Sequence, residues 1–396
     1  MQPDGQLSRR KFVGWAAAHA GAACLIGRRA VAAEPPQVKI AAPAHGAVLN
    51  RRHGTQTGDS LTIRVTVEAP EETPVTVNGA VGRREAGRWV ADVALRECES
   101  DIIATVQGNG APKEDRIRVV WDRFSRPRYR FSIDDNSFFL RDIAQKNYRS
   151  LFDCFYLKML RDLHERYGTK FSVNIYHTTG DDFTLPQFPD RYKGEWRDNS
   201  NWLKLAFHAY ANLPDRPYED ASPEKLIADL DLVADEIRRF AGEETYAPPT
   251  VIHWGMTRPT AFKPLASRGV RALSGYFAKW GDRWDVNYRW DDARSEYLSR
   301  HDAWKDFDSG IVFSRVDIVC NTVPLDRIVG TLAPLAENPD TAEIMDLFTH
   351  EQYFWPFYAN YLPDHPQRLD TAIRWVTEHG YAPVFLHEGF LGAPSA

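Results

Sequence analysis

Between Leu61 and Val120 apolar and polar residues alternate in short runs. They are Leu61-Thr62-Ile63-Arg64-Val65-Thr66-Val67, Val75-Thr76-Val77, Trp89-Val90-Ala91-Asp92-Val93, Ile102-Ile103-Ala104-Thr105-Val106 and Ile117-Arg118-Val119-Val120. A period of two marks strands with one buried face, and Asn78-Gly79 after the second run is a hairpin signal. The spacing predicts a small all-β sandwich over 37–122. From Arg128 onward the period changes. Strand-length apolar runs near 129–134, 170–175, 203–208, 249–253, 271–274, 311–319, 344–349 and 382–386 alternate with helical spacing. The clearest helices are 150–167, 223–241 behind Ser222-Pro223-Glu224, and 366–379 ending at Gly380. Alternating strands and helices predict an α/β barrel with parallel strands over 128–390.

The front of the chain bears on location. Ser8-Arg9-Arg10-Lys11-Phe12-Val13 is a twin-arginine element, followed by an Ala/Gly-rich apolar run from Val13 to Gly27 and by Ala30-Val31-Ala32, an A-x-A-type cleavage site. These predict a signal peptide over 1–33, export by the twin-arginine machinery, and a periplasmic or secreted mature chain with no stable membrane span. Cys24 follows Gly-Ala-Ala, which argues against a lipoprotein. A net charge of −5 provides no basic field for nucleic acid. Cys98, Cys154 and Cys320 are odd in number and widely spaced, so they predict neither a disulfide framework nor a thiolate metal site.

Candidate chemistry gathers at the ends of the predicted strands. Tyr129-Arg130-Phe131-Ser132-Ile133 stops in Asp134 and Asp135. Leu203 to Phe207 runs into His208, Thr250-Val251-Ile252 into His253, and Met345 to Thr349 into His350-Glu351. Parallel strands would bring these groups to one rim. Carboxylate with neutral imidazole suits zinc or a similar divalent ion and leaves a position for water. The plainer reading stands beside it: aspartates cap turns, and histidines close apolar strands as hydrogen-bonded core residues.

Ser132-Ile133-Asp134-Asp135-Asn136 resembles the T-F-D-D-G motif of the polysaccharide deacetylase (NodB-homology) family. The finish at Leu347-Phe348-Thr349-His350, a helix, Gly380-Tyr381 and the strand Pro383-Val384-Phe385-Leu386 resembles that family's closing order. The resemblance implies a distorted (β/α) barrel and a metal-dependent carbohydrate esterase. It implies Asp134 as general base, Asp135 and His208 as metal ligands, and His350 as general acid. Asn212 stands where the family's second histidine is expected and Asn136 where its glycine is. Asn212 can offer a carbonyl oxygen, His253 could replace the missing ligand, and Arg258 could act as the carboxylate-orienting arginine. The earlier region, with its V-x-V-N-G turn and Gly-x-Trp strand, resembles bacterial immunoglobulin-like modules.

Trp254, Trp284, Trp290, Tyr353 and Trp355 lie among charged residues and suit stacking on sugar rings, and the tract 280–309 reads as a substrate-side insertion. The expected function is removal of an N- or O-acyl group from a polysaccharide or oligosaccharide by a divalent-metal hydrolase, with zinc as the expected ion. Two rivals remain: a metal-free glycoside hydrolase or lyase using a carboxylate pair such as Asp135 and Glu351, and a non-catalytic carbohydrate-binding protein.

Overall fold

A computed structural model describes residues 38–107, 111–180, 182–388 and 391. The twin-arginine segment, the cleavage site and Cys24 lie outside the described residues. No described helix is long and apolar enough to cross a membrane.

Residues 38–121 form two five-stranded sheets that share one apolar core. In the first, Lys39–Ala42, Ser60–Glu68, Arg88–Leu95 and Arg83–Glu85 lie side by side, with Gly54–Thr57 also pairing with Ser60–Glu68. The second orders Val48–Leu49, Lys113–Trp121, Glu99–Val106, Val75–Val77 and Ala80–Val81. The alternation works as a half-buried strand requires: Leu61, Ile63, Val65 and Val67 face inward while Arg64 and Glu68 are exposed.

The second region is mixed α/β. Its main sheet is parallel, ordered Leu203–Ala209, Phe171–Tyr176, Arg128–Asn136, Ile344–His350 and Ile318–Val319, with Ala382–Pro383 beside the start of the central strand. Arg128–Asn136 is covered on both faces, as a central parallel strand must be. A smaller sheet pairs Ala272–Gly275 in parallel with Val312–Arg315, which runs antiparallel to Ala303–Lys305. Helices pack on the strands by apolar stripes. Pro223–Phe240 buries Leu226, Leu230, Val233 and Ile237, and starts with the Ser222 hydroxyl accepting from the Lys225 amide at 3.4 Å. Phe155–Tyr167 ends at Gly168, whose φ of 71° is reached without penalty by glycine.

Three expected strands differ, each for a backbone reason, and the helix expected over 150–167 divides at Cys154 into the turn Leu151–Asp153 and the helix Phe155–Tyr167. Residues 249–253 make no strand: Pro248 and Pro249 lack ladder donors, and the chain turns through the short His253–Gly255 helix. The 311–319 run divides because it changes sheets, Val312–Arg315 pairing with Ala272–Gly275 and Ile318–Val319 with Ile344–His350. Residues 382–386 shrink to Ala382–Pro383. Among the described residues the strands of this region therefore make three sheets: the two above, linked at Val316 and Asp317, whose amides donate to Gly275 and Asp346 at 2.8 and 2.9 Å, and the two-stranded hairpin Ala278–Trp280/Arg283–Asp285.

His365, at the start of helix His365–Glu378, is fully buried with Nε2 2.9 Å from the Thr349 hydroxyl. Burial pushes its imidazole down from 6.5 to about 3. Below pH 6.5 the unfolded chain binds the extra proton, so stability is lost as pH falls from about 6.5 toward 3, by up to roughly 1.4 kcal/mol per pH unit. Urea midpoints measured between pH 7.5 and 4.5 should fall with this slope, and His365→Gln should flatten it. An unchanged slope in the variant would refute the assignment.

Candidate metal centre and cleft

Two adjacent irregularities build the site. In the parallel pairing of Arg128–Asn136 with Phe171–Tyr176 the register slips between Ile133 and Asn136, and Asp135 takes a φ of 61°. Next door, Tyr176 pairs with Ala209 rather than His208, so a second slip falls at the end of Leu203–Ala209. Consecutive strand residues normally point to opposite faces. A bulge re-aims one of them, and this one lets Asp134 and Asp135 both border the same cavity. Aspartate tolerates the left-handed backbone better than most residues. Asn136 staples the bulge, its amide donating to the Ile133 and Asn174 carbonyls at 2.7 and 3.0 Å while it accepts from the Tyr156 hydroxyl at 2.7 Å.

Asp135, His208 and His253 form a group that could hold a metal ion. Asp135 Oδ1 lies 3.0 Å from His208 Nε2 and 3.4 Å from His253 Nδ1, and the two ring nitrogens are 3.0 Å apart. Donors bound at about 2.0–2.1 Å stand roughly 2.9 Å apart around an octahedral ion and roughly 3.3 Å around a tetrahedral one. His208 Nε2 carries at most one hydrogen, which cannot lie well on both 3.0 Å lines, whereas a cation inside the triangle satisfies all three atoms. The donor set therefore fits a divalent ion.

The surrounding charges support the carboxylate. Burial works against the Asp135 anion, but hydrogen bonds with His208 and His253 hold its carboxyl well below the usual range. The Gln352 amide donates to Oδ2 at 2.9 Å, and the Tyr176 hydroxyl faces both Asp135 and Asn212. His208 is pushed down by burial yet raised overall by Asp134 and Asp135, while burial lowers His253.

Asp134 and His350 flank this group. Asn174 Nδ2 donates to Asp134 Oδ1 at 2.6 Å and the Ser132 hydroxyl does so at 3.2 Å, leaving Oδ2 3.9 Å from His208 Nε2. His350 meets the amide oxygen of Asn321 at 2.9 Å through Nδ1. An amide oxygen only accepts, so Nδ1 carries the hydrogen, and Nε2 faces Asp135 Oδ2 at 4.0 Å.

Asp135 walls two lobes. One, of about 360 Å³, is lined by Asp134, His208, His253, His350, Trp254 and a set of aliphatic residues; the other, of about 310 Å³, extends past Tyr176, Asn212 and Gln352. Trp254 is partly exposed at a φ of 65°, with the Arg216 guanidinium 4.4 Å from its ring. Arg216 in turn holds Asp285 through bonds of 2.6 and 2.8 Å, which lowers that carboxyl.

Other expected site residues lie elsewhere. Glu351 is fully buried and accepts from the amides of Ser137, Phe138 and Phe139 at 2.6, 2.8 and 2.6 Å and from Trp355 Nε1 at 3.1 Å. It caps helix Phe138–Lys146 and has no catalytic position, because its oxygens are already occupied. Burial pushes its carboxyl up to about 7 while these donors pull the other way. Arg258 is half-exposed, 3.6 Å from Asp220, so it orients no site carboxylate. Trp290 packs in the core against Phe262, Trp304 and Phe313, with ring centroids 5.1 to 5.2 Å away. Trp355 packs on Phe155, and buried Trp284 lies in the hairpin Ala278–Trp280/Arg283–Asp285, where Lys279 covers its ring. Tyr353 stands half-buried behind His350, 6.1 Å between centroids. The 280–309 tract divides as well: Trp304 donates to the His45 carbonyl at 2.5 Å, anchoring that part to the first region rather than to the cleft.

Asn174, Tyr176, Asn321 and Gln352 were missed from the sequence. The alternation Ser172-x-Asn174-x-Tyr176, polar on one face of a wholly buried strand, was a readable signal for two of them.

No protein-family model matches the chain. No curated protein matches it either. Among solved structures it is similar to the 4-alpha-glucanotransferase of Thermococcus litoralis, at 13% identity and a TM-score of 0.44. That similarity covers 67% of this chain and 40% of the glucanotransferase chain, so it spans less than half of that enzyme.

Proposed function

We propose that the chain is a divalent-metal-dependent hydrolase that removes an N- or O-acyl group from a carbohydrate. The observation that carries this reading is the convergence of Asp135, His208 and His253 on one point of a cleft wall, with Asp134 and His350 on either side. Zinc is the first candidate, since two imidazoles and one carboxylate match its preferred donors. A divalent cation held there would supply positive charge that polarises an acyl carbonyl and makes water easier to deprotonate.

The chain's own groups divide the proton work. Asp134, fixed through Oδ1 by Asn174 and Ser132, keeps Oδ2 to accept a proton from attacking water. His350, oriented through Nδ1 by Asn321, presents Nε2 to the leaving group. The order of strand ends around them supports a polysaccharide-deacetylase-like barrel, with the first region as an immunoglobulin-like module and the N-terminal pattern as the means of export. The carboxylate-pair glycosidase reading loses its partner, because Glu351 is spent on helix capping.

Metal analysis of protein purified without chelator should find about one divalent ion per chain, and EDTA should abolish acyl release. Asp134→Asn should retain the ion while kcat falls by about 10² to 10⁴. Residual activity above one tenth of wild type would remove Asp134 from its role. A chain that binds glycan with no turnover in either form would favour the non-catalytic reading.

A further inference from the structure

We infer that the acyl group removed is bulky and apolar, so that the substrate is a glycoconjugate whose scissile bond joins a polar sugar to a hydrophobic chain. This inference rests on the proposed acyl hydrolysis and extends it to substrate class. The two lobes that meet at Asp135 share Asn212 and Leu213 and differ in what lies beyond them. On one side Ser137, Thr178, Thr179, Gln352 and Tyr358 offer hydroxyls and an amide beside Phe138 and Ala211. On the other, beyond the histidines, Val251, Val286, Val316, Val319 and Phe348 form an apolar wall, with Asp215, Ser274 and Tyr276 also on the lining. Aliphatic side chains give sugar hydroxyls no partner, and a hydroxyl buried against them loses its hydrogen bonds with water, whereas an acyl chain gains by the same burial. Arg130, which also lines this lobe, forms an ion pair with Asp346 through Nε at 2.5 Å, while its Nη1 and Nη2 have no hydrogen-bond partner among the described residues.

A second observation lies in the wall itself. Val286 has a φ of 50°, a conformation strongly disfavoured for a β-branched residue. It is pinned there by Tyr276 and Phe277, whose amides donate to its carbonyl at 3.0 and 3.2 Å, and by its own amide donating to Asp285 at 2.9 Å. Gly255 and Gly275 give it room, since a Cβ on either would come within 2.8 Å of Val286 atoms. Asparagine or glycine would occupy this backbone at lower cost, yet the position presents an isopropyl group to the lobe. In the hydrolysis, water oxygen bonds to the acyl carbon and the bond from that carbon to the sugar oxygen or nitrogen breaks. One of water's two protons passes to the sugar oxygen or nitrogen, the fatty acid leaves as its carboxylate, and the second proton goes to solvent or, for an amide, onto the freed amine.

The test uses zinc-loaded protein and one glucosamine oligosaccharide acylated with either acetyl or octanoyl groups, as esters and as amides. Octanoyl release should exceed acetyl release at least tenfold in kcat/KM. Val286→Asn, which relieves the positive φ, should keep or raise the melting temperature while lowering the octanoyl-to-acetyl ratio at least fivefold, and Val319→Gln should lower it too. Zinc-dependent acetyl release without an octanoyl preference, or a ratio unmoved in both variants, overturns this inference alone. Zinc-dependent release from neither series overturns it together with the hydrolase reading.

Discussion

Asp135→Asn is expected to cost the chain its metal. Bound zinc should fall from about one ion per chain to less than about a tenth, with acyl release down by about 10³ or more. The reasoning is geometric. Oδ1 is the vertex that both ring nitrogens face, at 3.0 and 3.4 Å, and it is the only anionic donor among the three groups. An amide of equal volume keeps the packing and one weak oxygen donor but loses the charge that offsets a dication. Thermal shift separates this from misfolding. Saturating zinc at a hundred times its Kd should stabilise wild type by about 2.7 kcal/mol and leave Asp135→Asn unmoved. A variant that still binds stoichiometric zinc at wild-type affinity would show that the three groups are only a hydrogen-bonded cluster.

Glu351→Ala should be the most damaging single substitution for stability, at about 3–5 kcal/mol. Three successive backbone amides at the start of Phe138–Lys146 and the Trp355 indole all donate to this one carboxylate, and the residue is wholly buried. Truncation leaves four donors in a dry site and opens a cavity beneath the helix that follows Asp134 and Asp135. Glu351→Gln should lose less, since it keeps the volume and one acceptor oxygen. Equilibrium unfolding checks both variants. Should Glu351→Ala unfold like wild type while losing only turnover, the carboxylate would have to be returned to the catalytic set.

Glu351 also shows where sequence reasoning reaches its limit. Beside His350 it looked like half of a reactive pair, and its adjacency along the chain was real. The strand ends between the two residues, so the imidazole borders the cleft while the carboxylate turns back under a helix 213 positions away in sequence, at Phe138. The tryptophans failed for a related reason. Composition cannot distinguish a ring that stacks on sugar from one that fills a core, because both call for the same flat apolar area. Trp254 reaches the cleft on a tight turn, whereas Trp290 meets three other aromatic rings.

The periodicity of the chain by itself determined the two regions, the alternation of strands and helices in the second, and the strand ends at which polar residues gather. These are local properties, set by which face of each element can be buried. It also placed Asp134, Asp135, His208 and His350 at strand termini. Only the tertiary structure decided that His253 reaches the same point from a turn after two prolines, that two adjacent bulges bring both aspartates to one cavity, and that Asn174, Asn321, Tyr176 and Gln352 hold them there. The reason is physical. Burial of one face follows from neighbours along the chain, whereas the direction of a carboxylate follows from the register between strands and from hydrogen-bond partners tens to hundreds of residues away.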